Sequence, residues 1–283
     1  MPNTFLTPEV IAREALMVLR NNAVMARLVH RDYSSEFAGA VGDSITIRKP
    51  ASFEAKEYTT DIVVQDATET GVEVKLDKHI DVSFAVTSRQ MTLEIADFSR
   101  ELLIPAMQSI QDKIDSYILA QAAAVTNAVT ASDNVQADIV DARAYLTKGK
   151  APLTDRYFVA SSDYEAEMLK TDLFVSAEKV GDEGSALREA SLGRKFGMNV
   201  YADQNADATA VDAVAFHRNA FALVTRSLAL PNGAGKAAIV NYDGFGLRVV
   251  YEYDIHTKSD TISIDMLCGV ATLDKNLAAV IKG

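Results

Sequence analysis

The sequence predicts an α+β protein, and three observations carry that reading. A helix-periodic apolar segment opens the chain. An unusually long alternating segment follows between residues 51 and 89. The remainder mixes helical and strand-like stretches before closing on strands. At roughly 150 residues per domain, the 283 residues leave room for two compact units or one elongated one. A hydrophobic fraction of 48% supplies ample material for a core.

Charge and cysteine usage remove several function classes. Lys and Arg number 28 against 39 Asp and Glu, a net charge of −11, which argues against a dedicated nucleic-acid reader with a basic face. No apolar run approaches the ~20 residues needed to span a bilayer. Residues 15–19, between Arg13 and Arg20, are too short for a secretory signal core. The lone Cys268 points to a reducing compartment, and so to synthesis in a cytoplasm.

Residues 7–31 read as helix. Thr7 suits the cap, Pro8 the first turn, and Glu9 the positive end of the helix dipole. Ile11, Ala15, Val18, Asn22, Met25 and Val29 follow helical spacing, while Leu16, Leu19, Ala23 and Ala26 widen the apolar surface beyond half the circumference. Arg13, Arg20 and Arg27 leave only a narrow polar stripe. Such a helix must be covered on several sides, either by its own domain or by another subunit.

Residues 43–49 form a strand by the alternation of Ile45 and Ile47, and Pro50 ends it. Val72, Val74, Leu76, Ile80, Val82, Phe84 and Val86 then alternate with mostly polar residues, interrupted only at Lys78. As one strand, 72–86 would extend roughly 50 Å at about 3.3 Å per residue. Typical strands have about 5–6 residues, so a bulge divides it or it projects as an arm. Residues 58–65 are expected to pair back across a turn at 66–71, making a long hairpin that needs a surface to lie on.

Helix resumes at Met91, breaks at Pro105 and runs from 106 to 126. Met107, Ile110, Ile114, Tyr117 and Val125 share one face, with Gln108, Gln111, Asp112 and Asp115 on others. Residues 126–136 read as a polar connector. Helix is expected at 138–146, at 162–169 and at 185–192. Strands are expected at 157–160, 199–202, 214–217, 220–225, 246–253 and 261–268, before an apolar tail at 277–281.

Catalytic signals are weak. Asn232-Gly233-Ala234-Gly235-Lys236 invites a phosphate-loop reading, but Leu230 stands where the first glycine belongs and Ala237 where a magnesium-binding hydroxyl belongs. A plain turn is the better reading. His30, His79, His217 and His256 share no metal-ligand spacing, and Cys268 sits in an apolar strand as a small buried hydrophobe. No Gly-x-Ser-x-Gly elbow exists, and Asp182/Glu183 read as solvated surface. No catalytic residue, cofactor site or metal site is expected.

The order of elements resembles the major capsid proteins of tailed bacteriophages. Three segments carry the likeness. The opening Asn3-Thr4-Phe5-Leu6-Thr7-Pro8-Glu9-Val10-Ile11-Ala12-Arg13-Glu14-Ala15 looks like that of the short podovirus-coat-like group. Val41-Gly42-Asp43-Ser44-Ile45-Thr46-Ile47-Arg48-Lys49-Pro50 looks like the run into their extended loop. Ala215-Phe216-His217-Arg218-Asn219-Ala220-Phe221-Ala222-Leu223 is similar to a strand pair near the end of their axial domain.

The resemblance implies the phage capsid shell fold, shared with encapsulins, in four parts. These are an N-terminal arm at 1–42, an extended loop hairpin at 43–89, a peripheral domain with a long spine helix at 90–130 and 241–283, and a mixed α/β axial domain at 131–240. It further implies a major capsid protein that assembles with itself as pentamers and hexamers, around double-stranded DNA enclosed without sequence readout. A separate scaffolding protein and a portal would be its partners, with no membrane involved. The chain would reside in the virion capsid after assembly in the bacterial host cytoplasm. With the arm helix directly at the start, no fused scaffolding segment or proteolytic trimming is expected. Ile11, Val18, Met25, Val72, Val74, Leu76, Ile80 and Val82 are the candidates for subunit interfaces. An encapsulin-type compartment around protein cargo is the nearest alternative, and a cytoplasmic α+β enzyme the alternative of another class.

Overall fold

The computed structural model describes residues 10–15, 24–31, 44–49, 55, 57, 64, 70–87, 89, 99–171, 174, 192–207, 211–233, 236–242 and 245–283. They form an α+β fold of two larger sheets and one two-stranded ladder. The predicted capping residues Thr7 to Glu9, Val18, the hairpin partner 58–65 (save Val64), the helix start at Met91 and the helix at 185–191 lie outside these residues.

The opening segment departs from one continuous helix. Residues 10–15 are helical, and a separate short helix, α1 (Met25–Leu28), begins after Val24. The N–H groups of Val24 and Ala26 go to the carboxylate of Asp115 rather than to carbonyls of a preceding turn. Helix also stops at Leu28, not Arg31, because Val29 turns extended (ψ 169°). His30 then bridges to β9 (Phe221–Arg226) as a strand residue.

The alternating run 72–86 is divided at Leu76 and Asp77, and its halves serve different sheets. β1 (Ser44–Lys49) pairs antiparallel with β2 (Thr70–Lys75), from Ser44 opposite Lys75 to Lys49 opposite Thr70. The hairpin therefore closes on 44–49, and Gly71 is a strand residue rather than part of a turn. β3 (Lys78–Thr87) instead pairs with β12 (Ser259–Thr272). Between the two, the chain crosses close over β12, where a Cβ on Gly269 would overlap the carbonyl oxygen of Lys75. Gly269→Ala is expected to cost about 1–3 kcal/mol of stability as the crossing strand is pushed aside. A urea midpoint equal to wild type would show that the crossing gives way freely.

The five-stranded sheet runs β10 (Lys236–Tyr242), β11 (Phe245–Asp254), β12, β3, with β9 also on β12. The long helix α2 (Ile104–Ala123) lies against it. Pro105 does not break this helix. A π-turn, Ser99–Leu103, leads straight into it, and Pro105 occupies the first turn, where its missing N–H is harmless. Ile110, Ile114 and Ile118 pack on Ile80, Ile262, Ile264 and Met266, so the even positions of β3 and β12 face the helix.

The six-stranded sheet runs β4 (Ala128–Thr130), β13 (Ala278–Lys282), β8 (Ala213–His217), β5 (Arg156–Ala160), β7 (Met198–Ala202), β6 (Arg194–Lys195). Helices α3 (Val135–Lys148) and α4 (Ser162–Lys170) enclose its second core through Ile139, Leu146, Tyr164 and Met168. Asn134 and Ser161 cap them by accepting from Ala137 N and Tyr164 N. The expected connector 126–136 thus contains a strand. Asn127 anchors it, donating its side-chain amide to the carbonyls of Lys275 and Ala278.

Strand pairing also divides the chain differently from the expected 90–130/241–283 and 131–240 split. Phe221–Arg226 and Lys236–Tyr242 belong with the five-stranded sheet, and Ala278–Lys282 with the six-stranded one. The apolar tail crosses because parallel pairing with β4 and antiparallel pairing with β8 bury it on both edges.

Candidate assembly surface

The subunit presents two kinds of surface, and the interface candidates sort between them. Ile11, Met25, Val74, Leu76 and Ile80 are buried within the subunit itself. Ile11 and Met25 join the core beneath α2, together with Ile80. Val74 and Leu76 form a small core with Ile47, Ala222, Val224 and Leu273. These side chains hold the arm and the base of the hairpin onto their own chain, so of the two coverings open for the arm helix its own domain supplies one, and the base of the hairpin finds its surface within the subunit. Val72 and Val82 are half-buried at the margins of those cores.

What stays exposed lies elsewhere. Val64, between the paired ends Lys49 and Thr70, is 85% exposed. At the tip of the β11–β12 hairpin Ile255 is 72% exposed, and Tyr253 half as much as a free residue. That tip is stiff rather than loose. Asp254 accepts from His256 N at 2.8 Å and from Thr257 Oγ1 at 2.9 Å, which holds its carboxyl below the usual carboxylate range. Val10, Leu153 and Leu230 add apolar exposure on the arm, beside α3 and before β10. Tyr253 and Ile255 continue the alternation of Leu247, Val249 and Tyr251, and Val64 falls in the expected strand 58–65, so the sequence pattern does not tell these exposed side chains from buried ones.

The outward face of the five-stranded sheet is polar and internally paired. Asp265 is buried and takes two bonds from Arg248, one from Nε at 2.8 Å and one from Nη2. His79 Nε2 stands 3.1 Å from the same carboxylate, and Asp81 accepts from Ser83 and Ser263. These bonds are saturated among themselves, which suits a structural ladder better than a reaction centre. His217 is buried in β8. Its Nδ1 accepts from Asn219 N at 3.2 Å, and burial holds its pKa below the ordinary value, so it stays neutral. Burial pushes the Cys268 thiol up to about 12, which keeps it inert. Lys236, the lysine of the rejected phosphate loop, lies with its ammonium 5.7 Å from the Tyr251 ring centre at the start of a strand. Among the described residues no three His, Cys, Asp or Glu converge as a metal site, and no helix is long and apolar enough to cross a membrane.

No protein-family model matches the sequence, and no curated protein matches it. Solved structures do match in fold. A chain of Mycobacterium phage Che8 superposes with a TM-score of 0.72 at 20% identity, over 92% of this chain and 91% of that one. A chain of the bacteriophage PhiM1 mature capsid gives 0.59 at 12% identity, over 85% and 82%. The virus-like particle from Pyrococcus furiosus gives 0.56 at 12% identity, over 97% and 98%. The described chain therefore has the shell fold of phage capsid subunits.

Proposed function

We propose that this chain is a major capsid protein of a tailed bacteriophage, a structural subunit that assembles with copies of itself into an icosahedral shell around double-stranded DNA. The observation that carries the reading is fold agreement over nearly the whole chain, with a TM-score of 0.72 over 92% of its length. The distribution of apolar surface supports it. The cores are closed, yet the arm, the hairpin tip and the segment between Lys49 and Thr70 all leave apolar side chains in water. The net charge of −11 suits a container that encloses DNA without gripping it.

Pentamers and hexamers are its expected oligomers, with a separate scaffolding protein and a portal as partners in the host cytoplasm. Negative-stain microscopy of the expressed chain tests the reading directly. Closed shells or ring-shaped capsomers are the expected result, and a compact monomer stable at high concentration would overturn it. A second reading, a shell around protein cargo, rests on the same fold, which the virus-like particle from Pyrococcus furiosus shares. Nucleic acid or enzyme inside purified particles separates the two.

Subunits of the shell are expected to remain covalently separate. A lysine-to-asparagine crosslink needs a neutral amine, and the candidates are Lys56, Lys75 and Lys78 against Asn241 and Asn276. Lys78 is held protonated by Asp77, its bonded neighbour at 2.7 Å, which raises its pKa. Lys75 lies 3.8 Å from Glu73, and Lys56 is outside the described residues. Particles boiled in detergent should run as monomers, and a ladder of multiples would contradict this.

A further inference from the structure

Asp115 sits where three parts of the chain meet. It lies on the inner face of α2, fully buried, among mainly apolar side chains and one turn from buried Gln111. Its two carboxylate oxygens accept from the arm, Oδ1 from Ala26 N at 3.0 Å and Oδ2 from Val24 N at 3.3 Å. These are the orphan amides at the start of α1, whose own N-cap residue, Val24, has no side chain able to bond them. The cap is thus supplied from 89 residues away. On its own helix, Gln111 donates its side-chain amide to the same carboxylate.

The six-stranded unit reaches the same point. Asp203, also buried, opens the turn Gln204–Asp207, which packs on α2. Two residues on, Asn205 Nδ2 approaches Asp112 Oδ1 at 3.4 Å. Arg27 is exposed, and the Arg31 guanidinium stacks 5.0 Å from the Phe245 ring centre. Among the described residues, the charged group acting on Asp115 is Asp203.

We infer that Asp115 is a proton-linked latch for the N-terminal arm: the arm docks on it with uptake of a proton, so acidification tightens the arm against the spine helix and alkaline conditions loosen it. Burial comes first among the causes that push its pKa up to about 7, and the charge of Asp203 second, with the two arm amides and Gln111 opposing them. When the arm lifts, the carboxyl meets water and returns toward the ordinary carboxylate value of about 4. The docked form therefore has the higher pKa and binds the proton more tightly. Docking is strongest below about pH 4 and weakens roughly tenfold per unit as pH rises toward 7, then levels off. Asp203 joins the six-stranded unit to the same equilibrium, since its charge opposes ionisation of Asp115.

Hydrogen exchange of residues 24–31 in the unassembled full chain, corrected for intrinsic rates between pH 5.5 and 8.5, tests the latch. Protection in the wild type should fall more than tenfold across that range. Asp115→Asn keeps an oxygen acceptor and removes the titration, so its protection should be independent of pH. Asp203→Asn removes the neighbouring charge and should move the midpoint to lower pH. A flat wild-type profile, or an Asp115→Asn chain with the wild-type slope, overturns the latch. Should Asp115→Asn fail to fold, as read by circular dichroism, an unmoved midpoint in Asp203→Asn overturns it equally. No shell is needed for the measurement, so its outcome is independent of the capsid reading.

Discussion

A chain in which residues 50–69 are replaced by Asn-Gly is expected to fold normally and to fail at building stable shells. Lys49 and Thr70 are register partners at the end of the β1–β2 ladder, so a two-residue turn can join them directly. The hairpin base stays in place because Ile47, Val74 and Leu76 pack on Ala222, Val224 and Leu273 of the same subunit. What is removed includes Val64, which is 85% exposed. At about 25 cal/mol per Å², a few hundred Å² of apolar contact on a neighbour stabilises that contact by several kcal/mol before ordering costs. A shell repeats the contact at every subunit, so assembly should feel its loss first. Circular dichroism and electron microscopy of one sample decide the matter. Normal shells would show the segment to be dispensable. A wider deletion reaching Lys78 is a poorer experiment, since it removes Val74 and Leu76 and opens the subunit's own core.

Phe216→Ala should lower the stability of the isolated subunit by about 3–5 kcal/mol, the range for truncating a fully buried aromatic. Against a typical total of about 5–15 kcal/mol, that is a large fraction of the subunit's stability. Phe216 is fully buried and belongs to the six-stranded sheet through β8, yet its ring packs into the core beneath the other sheet. It meets Phe221 of β9 edge-on at 5.5 Å between ring centres, and Tyr157 at 5.8 Å. The cavity would open at the seam of the two units, where neither sheet can close it alone. Denaturant unfolding measures the loss, with Leu153→Ala as an exposed control expected within about 0.5 kcal/mol of wild type. A change below about 1 kcal/mol for Phe216→Ala would mean that the seam repacks.

Much of the architecture was legible in the residues alone because periodicity reports burial directly. The alternation of Ile80, Val82, Phe84 and Val86 marked a strand, and Met107, Ile110 and Ile114 marked the face of the long helix. Three things escaped that signal. Gln111 and Asp115 read as the polar side of α2, yet they are buried, because the partner is an arm whose backbone amides carry no sequence signature. Ala128–Thr130 reads as connector and Lys236–Tyr242 carries no expected strand, since short strands completed by distant partners need no pattern of their own. The exposed apolar residues at 64 and 255 sit in or beside strand-like runs, so their exposure is visible only in the folded chain.

By itself, the sequence determined the α+β class, most strands and helices of the closing half, and the resemblance to a shell subunit. Local spacing and side-chain type suffice for these. Only the tertiary structure decided which strands pair, which unit the tail joins, and that the arm is fastened to Asp115. Those depend on contacts between residues tens to hundreds of positions apart, and hydrogen bonds to backbone amides can be made by almost any residue that folding brings there.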